Sequence, residues 1–257
     1  MKLIPEYVLP KNYIFQKYTN EYGDLRLKKL YTQSTIFLIL ICISFFDQRV
    51  LAETFRFQEG DILFQESRSS NAKAVKIATN SKYTNLGIIL KYKGKFVVLE
   101  SNGNVRKTDL NKFIKRGVNS WYLVKRFKNY KDVMTEENLI KLRENSNTYM
   151  GRPYDLYYGW GDEKLYSAEL IWKFLKDSLG IEIAPLKKMK DYDLSNPYVK
   201  LILSQKFGKD IPLEETVISP KDILESELLE TVFPRGDVQE SAGESAPENP
   251  SLEEPVP

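Results

Sequence analysis

One small hydroxyl stands at the head of an apolar helical stretch: Ser167 in "KLYSAELIWKFLKDSLG", residues 164–180. At that place serine has two uses. It can cap the helix by accepting from a first-turn N–H. It can also be a nucleophile, provided that a positioned base takes its proton. The second use is constrained by composition. The 257 residues contain no histidine, so the acid–base group best matched to neutral pH is missing. The one cysteine, Cys42, lies in an apolar run, which excludes thiolate and imidazole metal sites and any intramolecular disulfide. There is no phosphate-cradling glycine loop, no metal-ligand spacing, and no cofactor is expected.

The formal charge of +3 is unevenly spread. Six acids and no base follow Arg235, so residues 1–236 hold 29 acids against 38 bases, a formal +9. A mildly basic body suits an anionic surface or substrate, and equally a face of scattered solvated lysines. No dense Lys/Arg cluster is present, so nucleic acid is not an expected partner. With 42% hydrophobic residues the chain can bury a core.

Three regions follow from composition. In residues 1–52 an uncharged block, "IFLILICISFF" at 36–46, is preceded by Arg26, Lys28 and Lys29 and followed by "VLA" at 50–52. Those are the parts of a secretory signal peptide, and the block is short for a bilayer span of about 20 residues. The expectation is export to the periplasm or cell envelope, with a membrane anchor at 36–46 as the alternative. Residues 53–236 form the ordered body. Residues 237–257, acidic and rich in Pro and Ser, form an expected disordered tail.

Within the body, "GDILFQ" predicts a short strand, and "SSNAKAVKIAT" a helix capped by Ser69 or Ser70. "LGIILKY" and "KFVVLE" around Lys93-Gly94 predict a hairpin. A short helix at about 109–116 precedes a strand, "WYLVKRF". Thr135 should cap a helix ending at Gly151. Residues 167–179 form a helix burying Leu170, Ile171, Phe174 and Leu175. Ser-then-Pro openings predict two more, over "LSNPYVKLILSQKFG" and "ISPKDILESELLE". A hairpin followed by helices makes the fold class α+β, a small antiparallel sheet packed against several helices.

Several segments, in order, resemble one family. They are "GDILFQESRSSNAKAVKIATNSKYTNLGII", "VVLES", "GRPYDLYYGW", "KLYSAELIWK" and "SLGIEIAPLKKMKDYDL". The body is similar to YiiX-like proteins, circularly permuted papain-fold cysteine hydrolases related to the NlpC group. The resemblance implies a permuted papain-like domain and amide or ester hydrolysis or acyl transfer. It also implies a nucleophile at position 167, a base at 85 and a polar third member at 100. Here those positions hold Ser167, Asn85 and Glu100.

A carboxamide is not a base, and a hydroxyl is far harder to ionise than a thiol. Losing base help alone costs about 10²–10⁴ in rate, and disabling the concerted set up to about 10⁶. The expectation is a catalytically silent member whose cleft binds a small-molecule, peptide, peptidoglycan-stem or lipid-like ligand at the cell envelope or a membrane surface. The alternative is a serine hydrolase or acyltransferase with Glu100, Glu169, Lys164 or Asp155 as base. Tyr83, Tyr154 and Tyr166 are candidates for the cleft wall, and core packing is their other reading. Ser167 retains its reading as a helix cap.

Overall fold

The computed structural model describes residues 55–235, with side chains as far as Phe233. The apolar block, Cys42 and the acidic tail lie outside the described residues.

Strand β1 (Ile62–Gln65) is buried at all four positions, as befits a strand with neighbours on both sides and layers on both faces. Helix α1 (Ala72–Thr79) follows. It starts from Asn71, without a side-chain cap, rather than from Ser69 or Ser70, since Ser67 Oγ engages the N–H of Ser69 in the turn before it. Strands β2 (Asn85–Tyr92) and β3 (Lys95–Asn102) form the predicted hairpin. Its two turn residues, Lys93 and Gly94, both take positive φ, the backbone that a tight hairpin turn matches to strand twist. Strand β4 (Asn104–Asp109) folds back along β3, and Asp109 caps α2 (Leu110–Arg116) by accepting from the N–H groups of Asn111 and Lys112. Strand β5 (Tyr122–Phe127), the single turn α3 (Tyr130–Val133) and α4 (Glu136–Tyr149) come next. Thr135 caps α4 through the N–H of Asn138, as its sequence predicts.

Helix α5 (Ser167–Leu179) ends where Gly180 turns left-handed at φ 71°. Strands β6 (Lys187–Lys188) and β7 (Thr216–Val217) make a small separate pair. Between them, α6 (Pro197–Phe207) starts from Asn196 with Pro197 in its first turn. Ser219 and Asp222 close a capping box on α7 (Pro220–Leu224). The sequence "ESELLE" reads as helix but does not continue α7. Ser226 Oγ donates to Ile183 O at 2.5 Å and stops the helix, and the chain leaves as β8 (Leu229–Arg235) on the edge of the main sheet.

The main sheet is antiparallel, ordered β4-β3-β2-β1-β5-β8. Its two faces carry different helices. Leu86, Ile88, Leu90 and Leu99 join Leu142 of α4 and Leu170 and Phe174 of α5 in one core. The alternate residues turn to α2. A side chain at Gly87 would stand 2.4 Å from Val98 and 3.4 Å from Phe113, so glycine is what lets that face close. Residues Ser167–Leu175 of α5 are all buried, nine in succession, including Glu169 and Lys173. Among the described residues no helix is long and apolar enough to cross a membrane.

Candidate functional site

Three contacts fix the start of α5. Ser101 Oγ donates to Leu165 O at 2.5 Å, tying the helix to β3. The Leu165 N–H donates to Pro153 O at 3.0 Å. The Tyr166 hydroxyl accepts from the N–H of Ile218 at 3.0 Å, joining the helix to the segment before α7. Tyr166 is itself the N-cap residue, with no side-chain cap bond. Ser167 is therefore the first helical residue and caps nothing. It is 4% exposed, yet its hydroxyl has no hydrogen-bond partner among the described residues.

Ser167 lines a cavity of about 130 Å³. One wall is α1, with Ala74, Val75 and Ala78; the opposite wall is α6, with Val199, Ile202 and Leu203. Val217, Ile218 and Ser219 close a third side, and Thr84 reaches it just ahead of β2. Tyr154, Tyr158, Tyr166 and Tyr192 supply aromatic surface. Burial raises the pKa of all four phenols, so each keeps its proton and none is a ready base. The one charged residue in the lining is Lys206. Its ammonium lies 4.3 Å from the Tyr158 ring centroid and donates to Leu156 O at 2.7 Å.

The predicted site residues are thus divided. Ser167, Tyr154 and Tyr166 share the cavity. Tyr83 does not line it and packs edge-on against Phe64, with centroids 6.3 Å apart. Asn85 pairs with Gln65 in the sheet and alternates onto the face of Gly87, where α2 lies. Glu100 lies on that same face, fully buried. It accepts 2.5 Å from Thr108 Oγ1 and 3.4 Å from Arg106 Nε, and it pairs with Arg116 of α2. Its carboxylate is committed to that cluster, and Glu100 does not line the cavity.

The other candidate bases are also placed elsewhere. Lys164 is exposed and does not line the cavity. Asp155 is occupied by the turn it closes, accepting from the N–H of Tyr157 at 2.8 Å and of Gly159 at 2.7 Å. Glu169 is the unusual one. It is fully buried, and neither oxygen has a hydrogen-bond partner. Lys173 Nζ stands 3.0 Å from Oε1 as an ion pair, while its hydrogen bonds go to Gly161 O and Asp162. Burial pushes the Glu169 pKa up to about 7, against the pull of Lys173. An acid near neutrality is well matched to proton transfer. Yet two residues along a helix is about 200° of rotation, and Glu169 does not line the cavity.

Sequence reasoning missed the walls. Nothing in the pattern of α1 or α6 marks them as partners, because 120 or so residues separate them and only the tertiary fold joins them. Lys206 and Tyr192 were hidden for the same reason.

A central antiparallel sheet, a buried helix with its first turn at a cleft, and the helix following the sheet in the chain define a permuted papain-like domain. Residues 56–233 match the family of permuted papain-like amidase enzymes, YaeF/YiiX, C92 family, and the chain belongs to it. It is 38% identical over 175 residues to the uncharacterized protein YiiX of Escherichia coli (strain K12), covering 68% of this chain and 85% of that one. The crystal structure of a metalloprotein, YiiX from Escherichia coli O157:H7, superposes with a TM-score of 0.68 at 38% identity, over 70% of this chain and 99% of that one.

Proposed function

We propose that this member of an amidase family binds an amide- or ester-like ligand in the α5 cleft and does not cleave it. The observation that carries the reading is Ser167, buried at a cleft whose lining holds no carboxylate or imidazole and whose one amine, Lys206, is bound to Leu156 O. Positive potential at a helix start helps a thiol ionise, but an alcohol's proton has to go to a base. The cleft walls need no nucleophile to hold a ligand.

Fluorophosphonate labelling of the unmodified protein tests this. The expected result is no adduct at Ser167 by intact mass, and no release of product from activated esters above the rate of the Ser167→Ala variant. A stoichiometric adduct at Ser167, with turnover lost in Ser167→Ala, establishes the serine hydrolase instead. That second reading is favoured by one observation, the near-neutral Glu169, and opposed by the side of the helix it occupies.

The crystallised relative is called a metalloprotein. This chain has no histidine and one cysteine, and among the described residues no group of three or more Cys, Asp or Glu side chains is placed to hold a metal ion. The donor set does not fit, so no step is assigned to a metal. The basic flank and apolar block at 26–46 support export of the domain to the cell envelope, where amide-containing ligands are met.

A further inference from the structure

Away from the cleft, the tip of the β2–β3 hairpin carries charge that the rest of the described chain does not neutralise. Residues 91–95, Lys-Tyr-Lys-Gly-Lys, are all exposed. Residues 86–99, the turn and most of its two arms, contain no acid. Lys91, Lys93 and Lys95 form no ion pair among the described residues. The carboxylates of adjoining segments are already engaged. Glu59 takes the N–H of Lys91 and the guanidinium of Arg143, and Asp109 caps α2.

An aromatic ring stands among these lysines. Tyr92 is 47% exposed, although Ile88 and Leu90, on the same side of the strand, are buried. The Lys93 ammonium lies 5.4 Å from its ring centroid and the Lys107 ammonium 5.1 Å, both within reach of the ring's negative face. Lys107 is held there by Asn147 of α4, to which it donates at 2.7 Å. The apex itself stands clear. Nothing lies within 4 Å of where a side chain on Gly94 would begin, and Lys93 and Gly94 both take positive φ in a tight turn.

That convex shape selects the partner. A flexible polyanion is held by a groove that tracks its backbone, and a two-strand tip has none. A plane of anionic headgroups meets every lysine of such a tip at once, and each lysine near it adds attraction. Tyrosine is also the kind of amphipathic ring that settles at the headgroup level.

We infer that the β2–β3 tip seats the domain on an anionic lipid surface, with Tyr92 at the headgroup level and Lys91, Lys93 and Lys95 against the anionic groups. None of these residues lines the α5 cleft, so the seat and the cleft are separate features.

Sedimentation of the full chain with vesicles of phosphatidylcholine and phosphatidylglycerol, compared with phosphatidylcholine alone, tests this. Stronger binding to the anionic vesicles is expected, weakening as salt is raised. Each lysine near the surface is worth about fivefold, so Lys93→Gln with Lys95→Gln should weaken that binding about 25-fold. Lys93→Glu with Lys95→Glu should weaken it further. Tyr92→Ser should weaken it by the same factor at low and high salt, because the ring's share is not ionic. Lys200→Glu with Lys209→Glu, exposed residues in and after α6, is the control of equal net charge and should change binding less than about twofold. Circular dichroism checks the fold of each variant, and Gly94 is left in place so that the turn is kept.

Equal binding to both kinds of vesicle overturns the lipid seat. So does anionic binding that the tip variants leave unchanged, or that the control weakens as much as they do. Binding of heparin through the same lysines, with no preference for anionic vesicles, makes the partner an acidic polysaccharide and overturns it as well.

Discussion

Two polar sites lie on opposite faces of one sheet, and they are built in opposite ways. On the α2 face Glu100 is fully buried and saturated, with Thr108, Arg106 and Arg116 around its two oxygens. On the α5 face Glu169 is just as buried, its oxygens lack such a ring of donors and Lys173 stands beside them as an ion pair, while Ser167, two residues before it, is nearly as buried and lines a cavity. Buried polar groups in proteins are normally satisfied, and the exceptions call for an explanation. The contrast teaches where to look for one. A carboxylate ringed by donors is a structural tie, whereas a hydroxyl at a cavity wall is where the proposed ligand would be met.

The contrast can be broken most forcefully at Glu100. Glu100→Ala removes the acceptor for two guanidiniums, so the domain should lose about 3 kcal/mol in urea unfolding, while ligand affinity at the α5 cleft stays within twofold. Comparable losses of binding and stability would mean that the two faces are one site.

Glu169 sharpens the comparison through pH. Its folded pKa, about 7, is raised above the ordinary carboxyl value of 4.5. The folded state therefore holds the proton more tightly than the unfolded chain does. The stability this group contributes is fully present below about 4.5 and is lost as pH rises through 7. Glu169→Gln should flatten that decline, which amounts to roughly 2–3 kcal/mol between pH 4.5 and 8, in chemical unfolding across that range. An unchanged slope in the variant would assign the titration to other groups.

The smallest effect separates a cap from a site residue. Thr135→Ala, which removes a cap bond, should cost about 1 kcal/mol. Ser167→Ala should change stability by less than about 0.5 kcal/mol, because no bond is lost. A larger loss at Ser167 would show that its hydroxyl supports the fold after all.

Much of this was legible in the sequence where local chemistry decides the structure. Lys93-Gly94 set the hairpin, Thr135 and Gly180 bounded their helices, and "SAELIWKFLKDSL" spelled out α5 to the residue. The apolar pattern put Ser167 at the head of a helix, the family resemblance made it the nucleophile position, and the structure sets it at a cavity. What failed to show was long-range. The "ESELLE" run has helical composition, but Ser226 is captured by Ile183, far away in the chain, and β8 pairs with β5. Strand parity was the other blind spot. A glutamate that ends an apolar strand looks alike whichever face it takes, and the pairing of Glu100 with Arg106 decides it.

Because α5 is gripped on every side from Ser167 to Leu175, its first turn has no freedom to shift when the residue at its head is exchanged. Chemistry and architecture are thereby uncoupled at that spot. Swapping a sulfur for an oxygen alters what the pocket can do to a guest while the pocket keeps its shape. On the proposed reading, a scaffold of this kind passes between cutting and merely holding without being rebuilt.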